Sequence, residues 1–119
     1  MDAQLLELAQ QQAEICKIFG SINRVLIVWA LGDQEMSVGE IAEAIESSLQ
    51  NTSQHLRLMK DKGVLRSRRE QHTIYYRVAA HELAEGCRIL QHALQKMSSE
   101  DVNSIPDAHQ STAVRRLYQ

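Results

Sequence analysis

The run from Ser37 to Val78 constrains the fold more than any other part of the chain, because four local signals follow one another there in a fixed order. Ser37-Val38-Gly39-Glu40 has capping-box spacing, in which the serine hydroxyl and the glutamate three residues on satisfy free helix amides. Ile41, Ala42 and Ile45 then give a short helix over residues 38–45 one apolar face. Polar Glu46-Ser47-Ser48 leads into a second helix over 49–62. Its period turns Leu49, Thr52, Leu56 and Met59 inward, with Ser53 alongside, and Gln50, Asn51, Gln54 and Arg57 outward. Gly63 supplies a left-handed C-cap. Strands over 64–68 and 74–78 follow, rich in β-branched and aromatic residues. The link over 69–73 carries no Asn-Gly or Asp-Gly, so its turn type stays open.

Helical segments flank this run on both sides. Over residues 3–19, Leu5, Leu8, Ile15 and Phe19 form one stripe, with Leu6, Ala9, Ala13 and Cys16 beside it. Gly20 ends that helix and Ser21 can cap the next. Residues 22–31 are apolar nearly all round, as in a helix central to a core. Gly32-Asp33 breaks it. Over 80–97, Leu83, Cys87, Leu90, Leu94 and Met97 are spaced alternately four and three apart, more apolar seam than one small domain can cover. Such a seam fits an interface between protomers. Residues 98–119 are polar, contain Pro106 and read as a flexible tail. The expected architecture is mainly α with a small β-hairpin: four helices, two strands and a fifth helix in one domain over 1–97. No run approaches the roughly 20 apolar residues that span a membrane. Met1-Asp2-Ala3-Gln4 leads into no signal peptide, and the expected compartment is the cytoplasm. Two cysteines are too few for a disulfide-held scaffold.

The formal net charge of −2 conceals a polarised molecule. Arg57, Lys60, Lys62, Arg66, Arg68, Arg69 and Arg77 lie between Gln54 and Arg77, opposed only by Asp61 and Glu70. Phosphate binding needs a local positive patch rather than a positive total. A capped short helix, a turn, a helix with polar outward residues and a basic hairpin together make the winged helix-turn-helix plan. In that plan the second helix enters the major groove of duplex DNA and its N-terminal side chains reach base edges. Gln50, Asn51, Ser53 and Gln54 are placed to read bases, and Thr52 to face inward or bridge to a phosphate. Arg57 suits a phosphate or a guanine. Arg66, Arg68, Arg69 and His72 of the hairpin suit the backbone or the flanking minor groove.

Five blocks in order resemble the ArsR/SmtB repressors: Phe19-Gly20-Ser21-Ile22-Asn23-Arg24, Ser37-Val38-Gly39-Glu40-Ile41-Ala42, Ser53-Gln54-His55-Leu56-Arg57, Gly63-Val64-Leu65-Arg66-Ser67-Arg68-Arg69 and Ile74-Tyr75-Tyr76-Arg77. Together they run across residues 16–97. The chain departs at Ile22, where the family usually has proline. The resemblance implies a homodimer formed by the first and last helices, binding double-stranded DNA at an inverted repeat. It also implies an inducer, and the family's two common metal sites are absent. The positions of the paired cysteines are Ser37 and Gly39. Those of the last-helix site are Ala80, Glu82, Ala93 and Lys96. The remaining His81, Glu82, Glu85 and His92 are poorly spaced for the convergent ligands a zinc site needs, and His55 suits packing or a phosphate. No metal or other cofactor is expected.

Cys16 and Cys87 belong to helices that should pack together at the dimer interface. They read either as small core hydrophobes or as a thiol switch for redox or reactive-sulfur signals. The relatives that sense reactive sulfur use other positions, here Trp29 and Gln95. No catalytic set is defensible, so an enzyme is not expected. The competing reading is a winged helix that contacts protein instead of DNA.

Overall fold

Side-chain caps start three of the helices, whereas Ser21, expected to cap the second, makes no side-chain cap bond. The computed structural model describes residues 1–100, the side chain of Glu100 excepted. The helices are α1 (Ala3–Ile18), α2 (Ile22–Leu31), α3 (Val38–Ala44), α4 (Leu49–Asp61) and α5 (His81–Glu100), with strands β1 (Met36–Ser37), β2 (Leu65–Glu70) and β3 (Thr73–Val78). Asp2 caps α1 by accepting from the Gln4 amide at 3.1 Å. Both arms of the Ser37/Glu40 capping box form, at 3.2 and 2.9 Å. The bond from the Ser37 amide holds the Glu40 carboxyl below its ordinary pKa. Ser48 accepts from the Asn51 amide at 3.0 Å and starts α4. At the other end of α4, Gly63 takes φ 82°. Its amide donates to the Lys60 carbonyl and that of Val64 to the Met59 carbonyl, each at 2.9 Å. This is a Schellman closure, and only a residue free of a Cβ enters it without strain.

The winged helix-turn-helix order is as expected, with one strand more. The sheet has three strands in the order β1-β3-β2. β1 pairs antiparallel with β3, Met36 opposite Tyr76 and Ser37 opposite Tyr75. Two residues are too short to show a period, so β1 arises from the backbone groups that the edge of β3 offers it. The hairpin is also longer than its apolar pattern. Pairing continues to Glu70 opposite Thr73, leaving a two-residue loop in which Gln71 takes φ 55°. The last helix starts at His81 and reaches Glu100, beyond the expected end at Met97. The rest of the expected tail, 101–119, lies outside the described residues.

The core gathers Ile27, Val28 and Leu31 of α2, Ile41 and Ile45 around α3, Leu56 and Met59 of α4, and Leu65, Tyr76 and Val78 of the sheet. α2 is therefore central on one side. Its Ile22 is exposed, and Val25 and Trp29 line a groove described below. α1 joins the core only at its end, through buried Ile18 and partly buried Ile15 and Phe19. Residues 3–14 are all exposed, Leu5 and Leu8 among them at 58% and 60%. α5 turns Ala84, Leu83 and Cys87 to the core, while Ile89, Leu90, Leu94 and Met97 stay exposed. Among the described residues no helix is long and apolar enough to cross a membrane.

Candidate nucleic-acid interface

The outer side of α4 carries Gln50, Gln54 and Arg57, all exposed. Their spacing of four and three stacks them on one face of the helix. Ser53 is half-buried beside them. Asn51 is less free than the period implies, because its side-chain amide donates to the Ser47 hydroxyl at 3.0 Å and braces the helix start.

Of the two readings of Thr52 the inward one holds: it is 0% exposed, which leaves no phosphate bridge. Leu49, expected inward, is 60% exposed, because the inward face of α4 begins only with Thr52. The buried Thr52 hydroxyl has no hydrogen-bond partner among the described residues. Removing an unsatisfied buried hydroxyl while keeping the side chain's shape is favourable. Thr52→Val is therefore expected to stabilise the fold by about 1 kcal/mol. Its thermal midpoint should rise by roughly 4–8 °C, and an unchanged or lower midpoint would show that the hydroxyl is bonded.

His55 lies on the flank of α4 turned toward α2. Arg24 donates through Nε to His55 Nδ1 at 3.2 Å, and through a terminal nitrogen to the Ile18 carbonyl at 3.3 Å. This ties α4 to α2 and to the end of α1. Burial, with the Arg24 charge, pushes the His55 pKa below its ordinary value. The imidazole thus accepts from Arg24 as a neutral ring.

In the wing, strand register decides which basic residues are free. Arg66 stands directly opposite Arg77, both exposed. Like charges so paired repel each other, which an anion bound between them would relieve. In the sequence Arg77 belongs to the charge run and to the last family-like block; a two-residue hairpin loop is what sets it against Arg66. Arg68 is differently engaged. Its Nε lies 2.8 Å from both carboxylate oxygens of Glu35, and a terminal nitrogen is 3.0 Å from Glu70. The guanidinium also lies over the Tyr75 ring, 4.6 Å from its centroid. The Arg68 hydrogen bond holds the Glu35 carboxyl below its ordinary pKa. Arg68 thus clasps the wing to the loop before β1. Arg69 donates to the Gln71 carbonyl at 3.3 Å near the tip, and His72 is exposed within the loop.

Cys16 and Cys87 border the same surface groove, of about 480 Å³, with Phe19, Ile22, Trp29 and Leu90. Both are free thiols, Cys16 exposed and Cys87 half-buried. Burial pushes the Cys87 thiol up.

Of the residual metal candidates, His81 pairs with Asp33 at 2.7 Å, a bond that raises its pKa, and Glu85 pairs with Arg88. Among the described residues no group of three or more His, Cys, Asp or Glu could hold a metal ion.

A family model described as a helix-turn-helix domain matches residues 23–68, the span from the start of α2 into the wing. The regulator KmtR of Mycobacterium tuberculosis is 37% identical over 65 residues, covering 55% of this chain and 50% of KmtR. The chain spans half the length of KmtR and less than two thirds of two further curated relatives. The regulator YgaV of Escherichia coli is 36% identical over 77 residues, covering 64% of this chain and 78% of YgaV. Among solved structures, the homodimeric winged helix-turn-helix domain of Mb0332 from Mycobacterium bovis, described as a possible ArsR-family regulator, aligns with a TM-score of 0.72. Its identity is 25%, over 87% of this chain and 94% of that one. Fold, motif order and relatives agree: the chain belongs to the ArsR/SmtB family of winged helix-turn-helix transcriptional regulators.

Proposed function

We propose that this chain acts as a homodimeric repressor that binds an inverted-repeat operator in duplex DNA and works without a metal. The observation that carries the reading is the exposed stripe of Gln50, Gln54 and Arg57 on α4, with the Arg66/Arg77 pair exposed on the wing. Amide side chains donate and accept at once against adenine, and arginine suits guanine or phosphate. Ser53 and the free oxygen of Asn51 supplement the stripe. Arg66, Arg69, Arg77 and His72 take the phosphates, and Arg68 holds the wing in place for them.

The dimer rests on the exposed apolar residues of α1 and α5, and on the homodimeric state of the Mb0332 neighbour. A two-fold axis through those helices presents two copies of α4, as a half-site pair about one DNA turn apart requires. Gln54→Ala is expected to weaken binding to the selected operator by about 1–3 kcal/mol, and binding to random duplex by much less. Titrating both DNAs with both proteins measures it. Equal loss on the two would make Gln54 a backbone contact.

Release from DNA is assigned to the thiols. Cys16 and Cys87 share one groove at the base of the dimer helices, so joining or modifying them would shift α1 against α5. A disulfide needs Cα atoms within about 7 Å. A mild disulfide oxidant is expected to abolish operator binding and cross-link the two cysteines, reversibly with reductant, as read by mass spectrometry. Unchanged binding after complete oxidation would leave the thiols as packing groups.

A further inference from the structure

We propose that Leu49 recognises a thymine methyl group, which deepens the DNA-reading function above and rests on it. Leu49 is the first residue of α4, directly after the Ser48 cap. Side chains at this end of a recognition helix are the ones that reach base edges. Two neighbours there are otherwise engaged: the Asn51 amide is held by Ser47 and Thr52 is buried. From the first turn, Leu49 and Gln50 are the exposed side chains, with only the oxygen of Asn51 left beside them to approach a base.

The other large exposed hydrophobics among the described residues have different surroundings. Met1 precedes α1, Leu5, Leu6 and Leu8 lie on it, and Ile89, Leu90, Leu94 and Met97 lie on α5. Ile22 lines the groove between those helices, and Ile74 lies in the wing. Leu49 lies on neither dimer helix and does not line the groove. It stands in the polar surface beside Gln50.

The major groove offers donors, acceptors and one apolar group, the C5-methyl of thymine. A leucine has nothing to give a donor or an acceptor, so the methyl is the feature it can select. Leu49 and Gln50 as neighbours suit the two halves of an A·T pair or of adjacent pairs. The glutamine takes adenine N6 and N7, while the leucine covers the methyl.

The test replaces each thymine of the selected operator in turn by uracil, which removes the methyl and keeps base pairing. Wild type and Leu49→Ala are both titrated. One thymine per half-site is expected at which uracil lowers wild-type affinity about three- to fivefold, the value of burying one methyl. The same change should be silent for Leu49→Ala. Leu49 is exposed, so the alanine variant keeps the fold, and the wild-type titrations need no variant at all. An operator indifferent to uracil everywhere, or one whose uracil effect survives in Leu49→Ala, overturns the assignment while leaving the DNA-reading function standing. Failure to select any operator overturns both.

Discussion

Leu90→Glu is expected to turn the proposed dimer into a folded monomer and to lower operator affinity by about two to four orders of magnitude, the value of bivalent attachment. Leu90 is 60% exposed in the single chain, so the substitution removes little from the core. In the proposed dimer the same residue lies on the apolar seam of α5. Burying a carboxylate there without a partner costs several kcal/mol, and a two-fold axis brings in a second one. Sedimentation equilibrium should give the mass of one chain, with helical circular dichroism unchanged. A variant that stays dimeric and binds normally would place the interface elsewhere.

Leu56→Ala is expected to act on the same function by the opposite route, through the core. Leu56 is 0% exposed on the inner side of α4, next to His55. A buried leucine truncated to alanine costs about 2–5 kcal/mol, depending on how far the cavity collapses. That is a large part of the roughly 5–15 kcal/mol that stabilises a small domain. The denaturation midpoint should fall while the slope is unchanged. Operator binding should weaken with it as the folded fraction drops. Leu49→Ala, seven residues earlier on the exposed side, should stay within about 0.5 kcal/mol of wild type. A Leu56→Ala variant of near wild-type stability would mean that α4 is not anchored through this residue.

Much of the fold is legible in the sequence because its signals are local. The Ser37/Glu40 capping box, the Gly63 closure and the unequal faces of α4 depend on residues within a turn or two of each other, and all form. What was not legible depends on distant partners. β1 is two residues long and exists through its pairing with β3. Nothing near Gln71 announces a positive φ, because glutamine has no preference for it. Arg68 looks like any other wing arginine until Glu35, 33 positions earlier, is found beneath it. A charge run therefore identifies the basic face but not which of its members are free. Helical period had the same limit at Leu49, because the first residue of a helix has no preceding turn to pack beside it.

The central claim is that this chain reads duplex DNA as a symmetric pair, and selection of a binding site in vitro with the reduced full chain tests it most directly. The account predicts enrichment of an inverted repeat whose half-sites lie about one helical turn apart. Two protomers should bind each site. Affinity should fall about a thousandfold or more between 50 and 200 mM salt, as the bound phosphates' counterions are released. No enriched sequence, or binding that salt leaves unchanged, would contradict it and make this winged helix a protein-contact module.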